Sequence, residues 1–389
     1  MFIDKKDIKK NIYIYGFGTA GKWFSEQKGV KTINFIDTDV KKRGMQYNGI
    51  QVIDINQAKS KINSDDLIVI SVVDIQDVIK IINEDFNNQW LSLSHFIDPK
   101  LLQENISNKK NNEFVNYSLE AMFEMHDAFL SNNNSLCIRS VDLMITEKCT
   151  LKCKDCANLM QFYESPINID LSEVQLILDK LLKKLDLLYE VRLIGGEPFA
   201  NKSIYNIIKY IIDKDKIKRC VVYTNGTVNI KDDFIPLLQN PKVVFSITDY
   251  GFLSRNIDKL EDSLKKNSII YRRHEPEYWT DSGKILSEPH SISYAKDLFD
   301  KCCGKNLITV SDEKIYRCPF AANSDRLKSI PHDEKNFIEI ESTPKKIKNY
   351  LENIDYIPAC QYCNGRSFDS PLITPAIQTK KPINFRKYD

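Results

Sequence analysis

The sequence lacks the features that would place a protein in a membrane or on nucleic acid. No apolar run reaches the roughly 18 residues that a membrane span needs, and Met1 to Lys10 lack the apolar stretch of a signal peptide. The 55 basic and 53 acidic residues leave a net charge of +2, without the excess of positive charge typical of nucleic-acid binding. The five histidines form no ligand-spaced pair. We therefore expect a cytoplasmic protein with no membrane span and no nucleic-acid partner.

Cysteine is absent from the first 136 residues, although the chain of 389 residues contains ten cysteines. Three lie between Cys149 and Cys156, and five follow residue 300. A disulfide framework is not expected, because the cytosol keeps thiols reduced. Two groups of thiols in one chain predict two metal or cluster sites.

Apolar segments that read as strands alternate with helical segments in two stretches of the chain, which predicts an α/β protein with parallel sheets. Two or three domains are expected at this length. Residues 1–104 predict a Rossmann-like parallel sheet, residues 105–137 a linker, and residues 138–275 a second parallel sheet or partial barrel. Residues 276–370 read as a small cysteine-rich extension, and residues 371–389 as an irregular tail.

Cys149, Cys153 and Cys156 lie in one short loop after a predicted strand, Val141 to Ile145. Three thiolates from one loop can bind three irons of a cubane 4Fe–4S cluster and leave the fourth iron open. An open metal position is a catalytic position. The alternative is a zinc site that takes its fourth ligand from elsewhere in the chain.

This C-x-x-x-C-x-x-C spacing, followed by Gly195-Gly196-Glu197-Pro198 after the next predicted strand, resembles the radical S-adenosylmethionine (SAM) superfamily. The resemblance spans about residues 138–275 and implies a partial (β/α)6 barrel in which SAM chelates the open iron. It also implies that the glycine motif and Glu197 receive the methionine amino group of SAM. Glycine suits such a motif because a backbone without side chains can approach a ligand closely.

The same resemblance implies further contacts with SAM. Thr224 and Asn225 follow the third predicted strand of this region, and Ser246 ends the fourth. Arg255 is expected to meet the SAM carboxylate, since a planar guanidinium offers a bidentate match. The superfamily usually has an aromatic residue before the third cysteine, where this chain has Asp155, so the adenine contact is expected to differ.

Cys303, Cys318, Cys360 and Cys363 are expected to bind one auxiliary 4Fe–4S cluster. Cys303 and Cys318 bracket a predicted hairpin, and the last two form a C-x-x-C pair. This arrangement resembles the SPASM and twitch extensions of radical SAM enzymes. Zinc is the alternative, because four thiolates suit zinc and iron–sulfur alike.

Three cysteines remain. Cys137 and Cys220 are expected to be buried structural residues, the usual fate of a free cysteine. Cys302 is expected to be a spare thiol or an alternative ligand. Each of the three is also a candidate hydrogen-atom donor to a substrate radical, which would make the enzyme an epimerase.

Gly16, Gly18 and Gly21 follow a predicted strand and open a helix, and Asp37 ends the next strand where a ribose-binding acid is expected. This segment resembles the small Rossmann-like module of bacterial polysaccharide and nucleotide-sugar modifying proteins. A nucleotide site is one interpretation. A structural or subunit-contact role is the other.

Together these resemblances imply an enzyme that reductively cleaves SAM to a 5′-deoxyadenosyl radical and removes hydrogen from a substrate C–H bond. The expected substrate is a sugar or nucleotide-sugar of surface polysaccharide synthesis, with epimerisation or dehydrogenation as the outcome. A flavodoxin or ferredoxin is expected to donate the electron. The alternatives are a peptide-modifying SPASM-type maturase and a non-catalytic zinc-binding scaffold.

Overall fold

The structure is a computed structural model that describes residues 10–107, 113–132, 135–367 and 370–388. It divides the chain into two compact units, residues 1–139 and residues 140–389. Within the described residues no helix is both long enough and apolar enough to cross a membrane.

The amino-terminal unit is built on a six-stranded sheet in the order β3-β4-β2-β1-β5-β6. All neighbouring strands pair in parallel except β3, which forms a hairpin with β4. Its strands are β1 (Ile12–Tyr15), β2 (Thr32–Ile36), β3 (Gln46–Tyr47), β4 (Ile50–Ile53), β5 (Leu67–Ile70) and β6 (Trp90–Ser92). Strands β1 and β5 are apolar and buried throughout, as central parallel strands are when both faces of the sheet are covered.

Two apolar clusters cover the two faces of this sheet. Ile12 and Ile14 belong to one cluster and Tyr13 and Tyr15 to the other, because successive side chains of a strand point to opposite faces. The helices of the unit are α1 (Thr19–Ser25), α2 (Ile55–Lys61), α3 (Ile75–Asp85), α4 (Pro99–Ser107) and α5 (Glu113–Ser131).

Two expectations for this unit need correction. The predicted linker contains helix α5, whose Leu119 and Met122 are fully buried in one of the apolar clusters. The pattern also predicts a strand from Trp90 to Ile97, but β6 ends at Ser92. The Ser92 hydroxyl accepts a hydrogen bond from the amide of Ser94 and starts a short 3-10 helix.

The carboxy-terminal unit is built on an eight-stranded sheet in the order β11-β10-β9-β8-β7-β13-β14-β15. The strands of the sheet are β7 (Cys137–Thr146), β8 (Leu187–Gly195), β9 (Ile217–Thr224), β10 (Val243–Thr248), β11 (Ile270–His274), β13 (Thr309–Ser311), β14 (Lys314–Tyr316) and β15 (Phe337–Glu339). Strands β8 to β11 pair in parallel, and β13 pairs in parallel with β7. Helices follow most strands, as the alternating pattern predicts.

The helices of this unit are α6 (Leu171–Lys184), α7 (Ile204–Ile212), α8 (Ile235–Leu238), α9 (Ile257–Lys266), α10 (Ile292–Lys301), α11 (Pro319–Leu327) and α12 (Pro344–Glu352). The helix predicted from Leu171 to Leu188 ends at Lys184, because the backbone is extended at Leu185 and β8 begins at Leu187.

The sheet does not close into a barrel in the part of the chain that the structure describes. After β11 the next strand, β12 (Trp279–Thr280), pairs antiparallel with β16 (Leu372–Ile373) instead of extending the sheet. On the other edge, β13, β14 and β15 continue the sheet from β7. The cysteine-rich extension therefore shares one sheet with the parallel strands.

Candidate functional site

The loop that follows β7 carries three thiols at one cavity. Cys149 and Cys156 are partly buried and Cys153 is buried. All three line a cavity of about 580 Å³ in the carboxy-terminal unit. The structure thus brings together the three residues that the spacing selects, at the end of a strand.

The end of β8 forms a wall of this cavity next to the cysteine loop. Gly195 and Gly196 line the cavity, and Gly195 has a φ of +139°. A Cβ atom on Gly195 would overlap the carbonyl oxygen of Thr146, and one on Gly196 would overlap that of Lys148. Both glycines are therefore required by the loop that leads into Cys149.

Glu197 is fully buried and does not line the cavity. Its carboxylate accepts hydrogen bonds from the hydroxyl of Thr224 at 2.9 and 3.0 Å and from the amide of Asn225 at 2.8 Å. Burial raises the pKa of Glu197 to about 7, against these hydrogen bonds, which lower it. Glu197 joins the ends of β8 and β9 and so positions the cavity wall.

Some of the other expected SAM contacts lie at the cavity and some do not. Thr224 and Asn225 line it, and the Asn225 side-chain amide lies 3.7 Å from the Cys149 sulfur. Ser246 lies inside β10, where its hydroxyl accepts a hydrogen bond from Arg272 at 3.1 Å. Thr248, at the end of β10, lines the cavity instead.

Arg255 is exposed, and neither it nor the buried Pro198 is a lining residue of the cavity. Asp155, which replaces the usual aromatic residue, is buried and does line the cavity. A Cβ atom on Gly283 would overlap the carbonyl group of Asp155. The chain after β12 therefore lies directly against the cysteine loop.

A carboxy-terminal strap, residues 376–379, crosses the cysteine loop. The amide of Lys154 donates to the carbonyl oxygen of Ile377, and the amide of Thr379 to that of Lys152, both at 2.7 Å. The side-chain amide of Gln378 donates to the Cys153 sulfur at 3.3 Å. The predicted irregular tail thus contributes a partner to one of the three thiols.

The second set of thiols has a further candidate member in Cys302. Cys302 acts electrostatically on Cys318, Cys360 and Cys363, and Cys318 acts on Cys360 and Cys363; Arg366 also acts on Cys318 and Arg317 on Cys360. The expected ligand Cys303 is exposed and interacts with Cys302 and Arg366. Cys302 is therefore a candidate fourth ligand beside the predicted Cys303.

Backbone amides point at the sulfurs of this second set. The amide of Ala321 donates to Cys318 at 3.5 Å, that of Gly365 to Cys363 at 3.2 Å, and that of Arg366 to Cys302 at 3.3 Å. Amide donors to thiolate sulfur are among the means by which proteins stabilise and tune iron–sulfur clusters. The donor set fits such a group.

Burial raises the pKa of the three thiols in the first set and of Cys318, Cys360 and Cys363 in the second. The pKa of Cys153 rises to about 11, that of Cys318 to about 11 and that of Cys360 to about 12. A metal or cluster binds thiolates, so its binding must displace protons. Within the described part of the chain, no three Cys, His, Asp or Glu side chains are already grouped as ligands of a single metal ion.

The remaining cysteines lie in different surroundings. Cys220 is fully buried in β9, and burial raises its pKa to about 12. Cys137 is partly buried, and its thiol donates to the hydroxyl of Ser135 at 3.5 Å. Neither lines the cavity, whereas Cys303 does.

Three charged residues of the cavity wall belong to none of the sequence motifs: Asp142 of β7, Arg192 of β8 and Arg366. Burial raises the pKa of Asp142 to about 6, although the charge of Arg192 lowers it. Asp142 and Arg192 are each the one charged residue in the short apolar segments 141–145 and 191–194, which is a signal that the sequence offers. Arg366 carries no such signal.

The glycine segment of the amino-terminal unit is explained largely by packing. A Cβ atom on Gly16 would come within 2.9 Å of the Ser71 hydroxyl, and one on Gly21 would overlap the Gly16 carbonyl oxygen. Gly18 has open space around it. The Asp37 carboxylate accepts from the amide of Phe17 at 2.9 Å and contacts other protein donors.

Comparison with known proteins gives one family match and several distant structural likenesses. Residues 143–288 match the family model described as "Radical SAM superfamily". No curated protein sequence matches the chain.

BtrN in complex with AdoMet and 2-DOIA is 14% identical, over 64% of this chain and 98% of that chain, with a TM-score of 0.37. Native anSMEcpe with bound AdoMet and Cp18Cys peptide is 14% identical, over 60% and 92%, with a TM-score of 0.39. Streptococcus suis SuiB is 12% identical, over 66% and 77%, with a TM-score of 0.31. These likenesses are too distant to carry an argument about activity.

The matched segment contains the three-thiol loop and the Gly195 and Gly196 wall that meet at the cavity. Residues 143–288 are therefore a radical SAM superfamily domain, the domain of enzymes that use a 4Fe–4S cluster together with SAM.

Proposed function

We propose that this chain cleaves SAM reductively and removes a hydrogen atom from a C–H bond of a sugar or nucleotide-sugar. One observation carries the proposal: Cys149, Cys153 and Cys156 line the same cavity as Gly195 and Gly196. Three thiols from one loop leave a fourth iron position free for SAM. The cavity leaves room for a small substrate.

Cys149, Cys153 and Cys156 would hold a 4Fe–4S cluster, which would supply the electron for cleavage of SAM to methionine and a 5′-deoxyadenosyl radical. The residues of the chain hold the thiols and restrict solvent. Asn225 lies beside Cys149, and Gln378 donates to Cys153. Tyr250 and Trp279 pack against the loop, which limits access of water to the reacting atoms.

We further propose that Cys302, Cys318, Cys360 and Cys363 bind an auxiliary 4Fe–4S cluster of the SPASM or twitch kind. The amides that donate to three of these sulfurs support a thiolate-bound group at this set. Cys303 becomes the thiol best placed to meet a substrate radical, because it lines the cavity and Cys137, Cys220 and Cys302 do not.

The proposed substrate class rests on the resemblance of residues 12–53 to the module of polysaccharide and nucleotide-sugar modifying proteins. We propose the Gly16 to Gly21 segment as the nucleotide contact, with Gly18 as the position that has space around it. A flavodoxin or ferredoxin is the proposed electron donor. Peptide modification is the rival activity.

Anaerobic reconstitution tests the proposal first. We expect about eight irons per chain, four for each cluster. Reduction in the presence of SAM is expected to give 5′-deoxyadenosine and methionine, measured by liquid chromatography. A protein that takes up zinc, holds no iron and leaves SAM intact contradicts the proposal.

A second experiment addresses substrate and outcome. The reduced enzyme is incubated with SAM and a panel of sugars and nucleotide-sugars in deuterated water. Deuterium gained at one carbon with inversion identifies an epimerase, and a mass loss of two identifies a dehydrogenase. Turnover of a peptide but of no sugar supports the rival activity.

A further inference from the structure

A pair of opposite charges lies inside the sheet at the cavity. The Asp142 carboxylate is 2.5 Å from Nε of Arg192, and the two side chains are only 7% and 12% exposed. Arg192 lies three residues before Gly195, at a rise of about 3.3 Å per residue, so the pair is about 10 Å from the glycine wall. The cavity therefore has space for a bound group between the Asp142–Arg192 pair and the three thiols.

Arg192 has one buried nitrogen whose N–H groups no described protein group accepts. Its Nη2 atom is buried without a hydrogen-bond partner among the described residues, whereas its Nε atom is paired with the Asp142 carboxylate. Buried donors without an acceptor are costly and rare in folded proteins. An acceptor in the cavity would satisfy them.

Arg366 brings a second guanidinium to the same cavity. Its backbone is held on both sides, since its amide donates to Cys302 and its carbonyl oxygen accepts from the amide of Cys303. Nε of Arg366 donates to the hydroxyl of Ser282 at 3.1 Å. Its charge acts on Asp142 and also on Cys156, and all three residues line the same cavity.

We propose that Asp142, Arg192 and Arg366 form a substrate subsite that binds an anionic group, a carboxylate or a phosphate, carried by a small hydroxylated molecule. The two guanidiniums receive the anion through charge-assisted hydrogen bonds. Asp142 accepts from a neighbouring hydroxyl. Because Asp142, Arg192 and Arg366 line the same cavity as the three thiols, an anion bound there holds the rest of the substrate in that cavity. This inference rests on the proposed function and gives its substrate a charge.

The test uses the reconstituted holoenzyme with SAM under anaerobic conditions. Glucose 1-phosphate, glucuronate and glucose are the probes, and their dissociation constants are measured by calorimetry. We expect at least one anionic probe to bind about tenfold or more tightly than glucose, as a charged hydrogen bond predicts. Comparison of the two anions separates a phosphate from a carboxylate site.

Arg192→Gln and Arg366→Gln are each expected to weaken binding of the preferred anion by about tenfold or more, with little change for glucose. Asp142→Asn combined with Arg192→Gln removes both buried charges and guards against unfolding of the single variant. Arg139→Gln, an exposed arginine on the same strand as Asp142, is the matched control.

Equal binding of all probes, no binding of either anion, or unchanged affinity in the arginine variants overturns the subsite. Loss of SAM affinity in Arg366→Gln, with anion affinity kept, overturns the role of Arg366. Cleavage of SAM without substrate is measured for every protein. If wild type cleaves no SAM, the proposed function fails; if cleavage is normal and anion binding is not, only the subsite fails.

Discussion

The interiors of the amino-terminal and carboxy-terminal units are filled differently. Apolar clusters cover both faces of the amino-terminal sheet, and the only cysteine of that unit, Cys137, begins β7 and lies outside this sheet. The carboxy-terminal unit contains the other cysteines and gathers seven of them in two sets of thiols. Apolar burial stabilises the first unit, and we propose that bound clusters add to the stability of the second.

The two thiol sets also differ from each other. Three thiols come from one loop and face a cavity, while Cys302, Cys318, Cys360 and Cys363 come from three separate segments, and backbone amides donate to the first, second and fourth of these. Three ligands leave a metal position open, and four fill it. The first arrangement suits chemistry and the second suits electron transfer or structure.

The largest effect is expected for Cys153→Ala. Loss of one of three thiolates should remove about four of about eight irons and abolish SAM cleavage, while the amino-terminal unit stays folded. Iron analysis and 5′-deoxyadenosine formation provide the measurements. Cys220→Ala removes a thiol outside the cavity and is the control. Continued SAM cleavage by Cys153→Ala would contradict the assignment of SAM cleavage to the first set of thiols.

Separate substitution of the neighbouring residues Cys302 and Cys303 tests which of them is a ligand in the second set. Cys302→Ser is expected to lose about four irons and to keep SAM cleavage, because the first set is intact. Cys303→Ser is expected to keep all of its iron. Iron content and electron paramagnetic resonance of the reduced proteins measure both. Loss of iron from Cys303→Ser but not from Cys302→Ser would show that Cys303 is the ligand.

Acid is expected to destabilise the amino-terminal unit through His126. This imidazole is buried between the Ser92 hydroxyl and the Val72 carbonyl oxygen, with His95 nearby, and burial lowers its pKa from 6.5 to about 4. Between these values the unfolded chain binds a proton that the folded unit does not. The free energy of unfolding should therefore fall by up to about 3 kcal/mol as pH drops from 6.5 to 4.

Native-state hydrogen exchange of the β1 and β5 amides measures the free energy of unfolding of the amino-terminal unit separately from that of the other unit. In His126→Gln the pH dependence over this window should flatten, even if the unit is less stable at every pH. An unchanged slope in His126→Gln would assign the acid sensitivity to other groups.

The smallest effect is expected for Gln378→Ala in the carboxy-terminal strap. The variant loses the amide that donates to Cys153 and the oxygen that accepts from the amide of Lys152. Removal of a hydrogen-bond partner of a metal ligand typically lowers metal affinity by 10- to 100-fold. We expect an effect at the lower end of this range, about tenfold faster release of iron to a chelator. Gln239→Ala, on an exposed helix end, should release iron at the wild-type rate.

Much of the fold follows from local sequence. Parallel strands such as β1 and β5 are continuous apolar runs because both of their faces are covered, so their positions are readable. The three-thiol loop is readable for a similar reason, since its ligands are close in sequence. Helix α5 was missed because polar residues around positions 105–113 obscured the apolar stripe that follows.

The rest depends on contacts between distant segments. Cys302 and Cys303 are adjacent and chemically identical, so the sequence cannot distinguish them as ligands. In the folded chain they differ, because the Arg366 amide donates to the Cys302 sulfur, whereas Cys303 contacts Arg366 through its backbone amide. Arg366 meets Asp142 only after folding. Contacts between residues so far apart in the chain leave no local sequence pattern. The thiols are therefore readable from the sequence, whereas the proposed charged subsite is not.

The carboxy-terminal strap has a consequence for the timing of synthesis. Gln378 follows Cys153 by 225 residues. At about 5 to 20 residues per second, the ribosome takes on the order of ten to forty seconds to reach the strap after making the loop. During that interval the three thiols lack one wall and one hydrogen-bond donor. Insertion of a cluster into the finished site therefore follows translation of the strap, and the nascent loop has to be kept reduced until then.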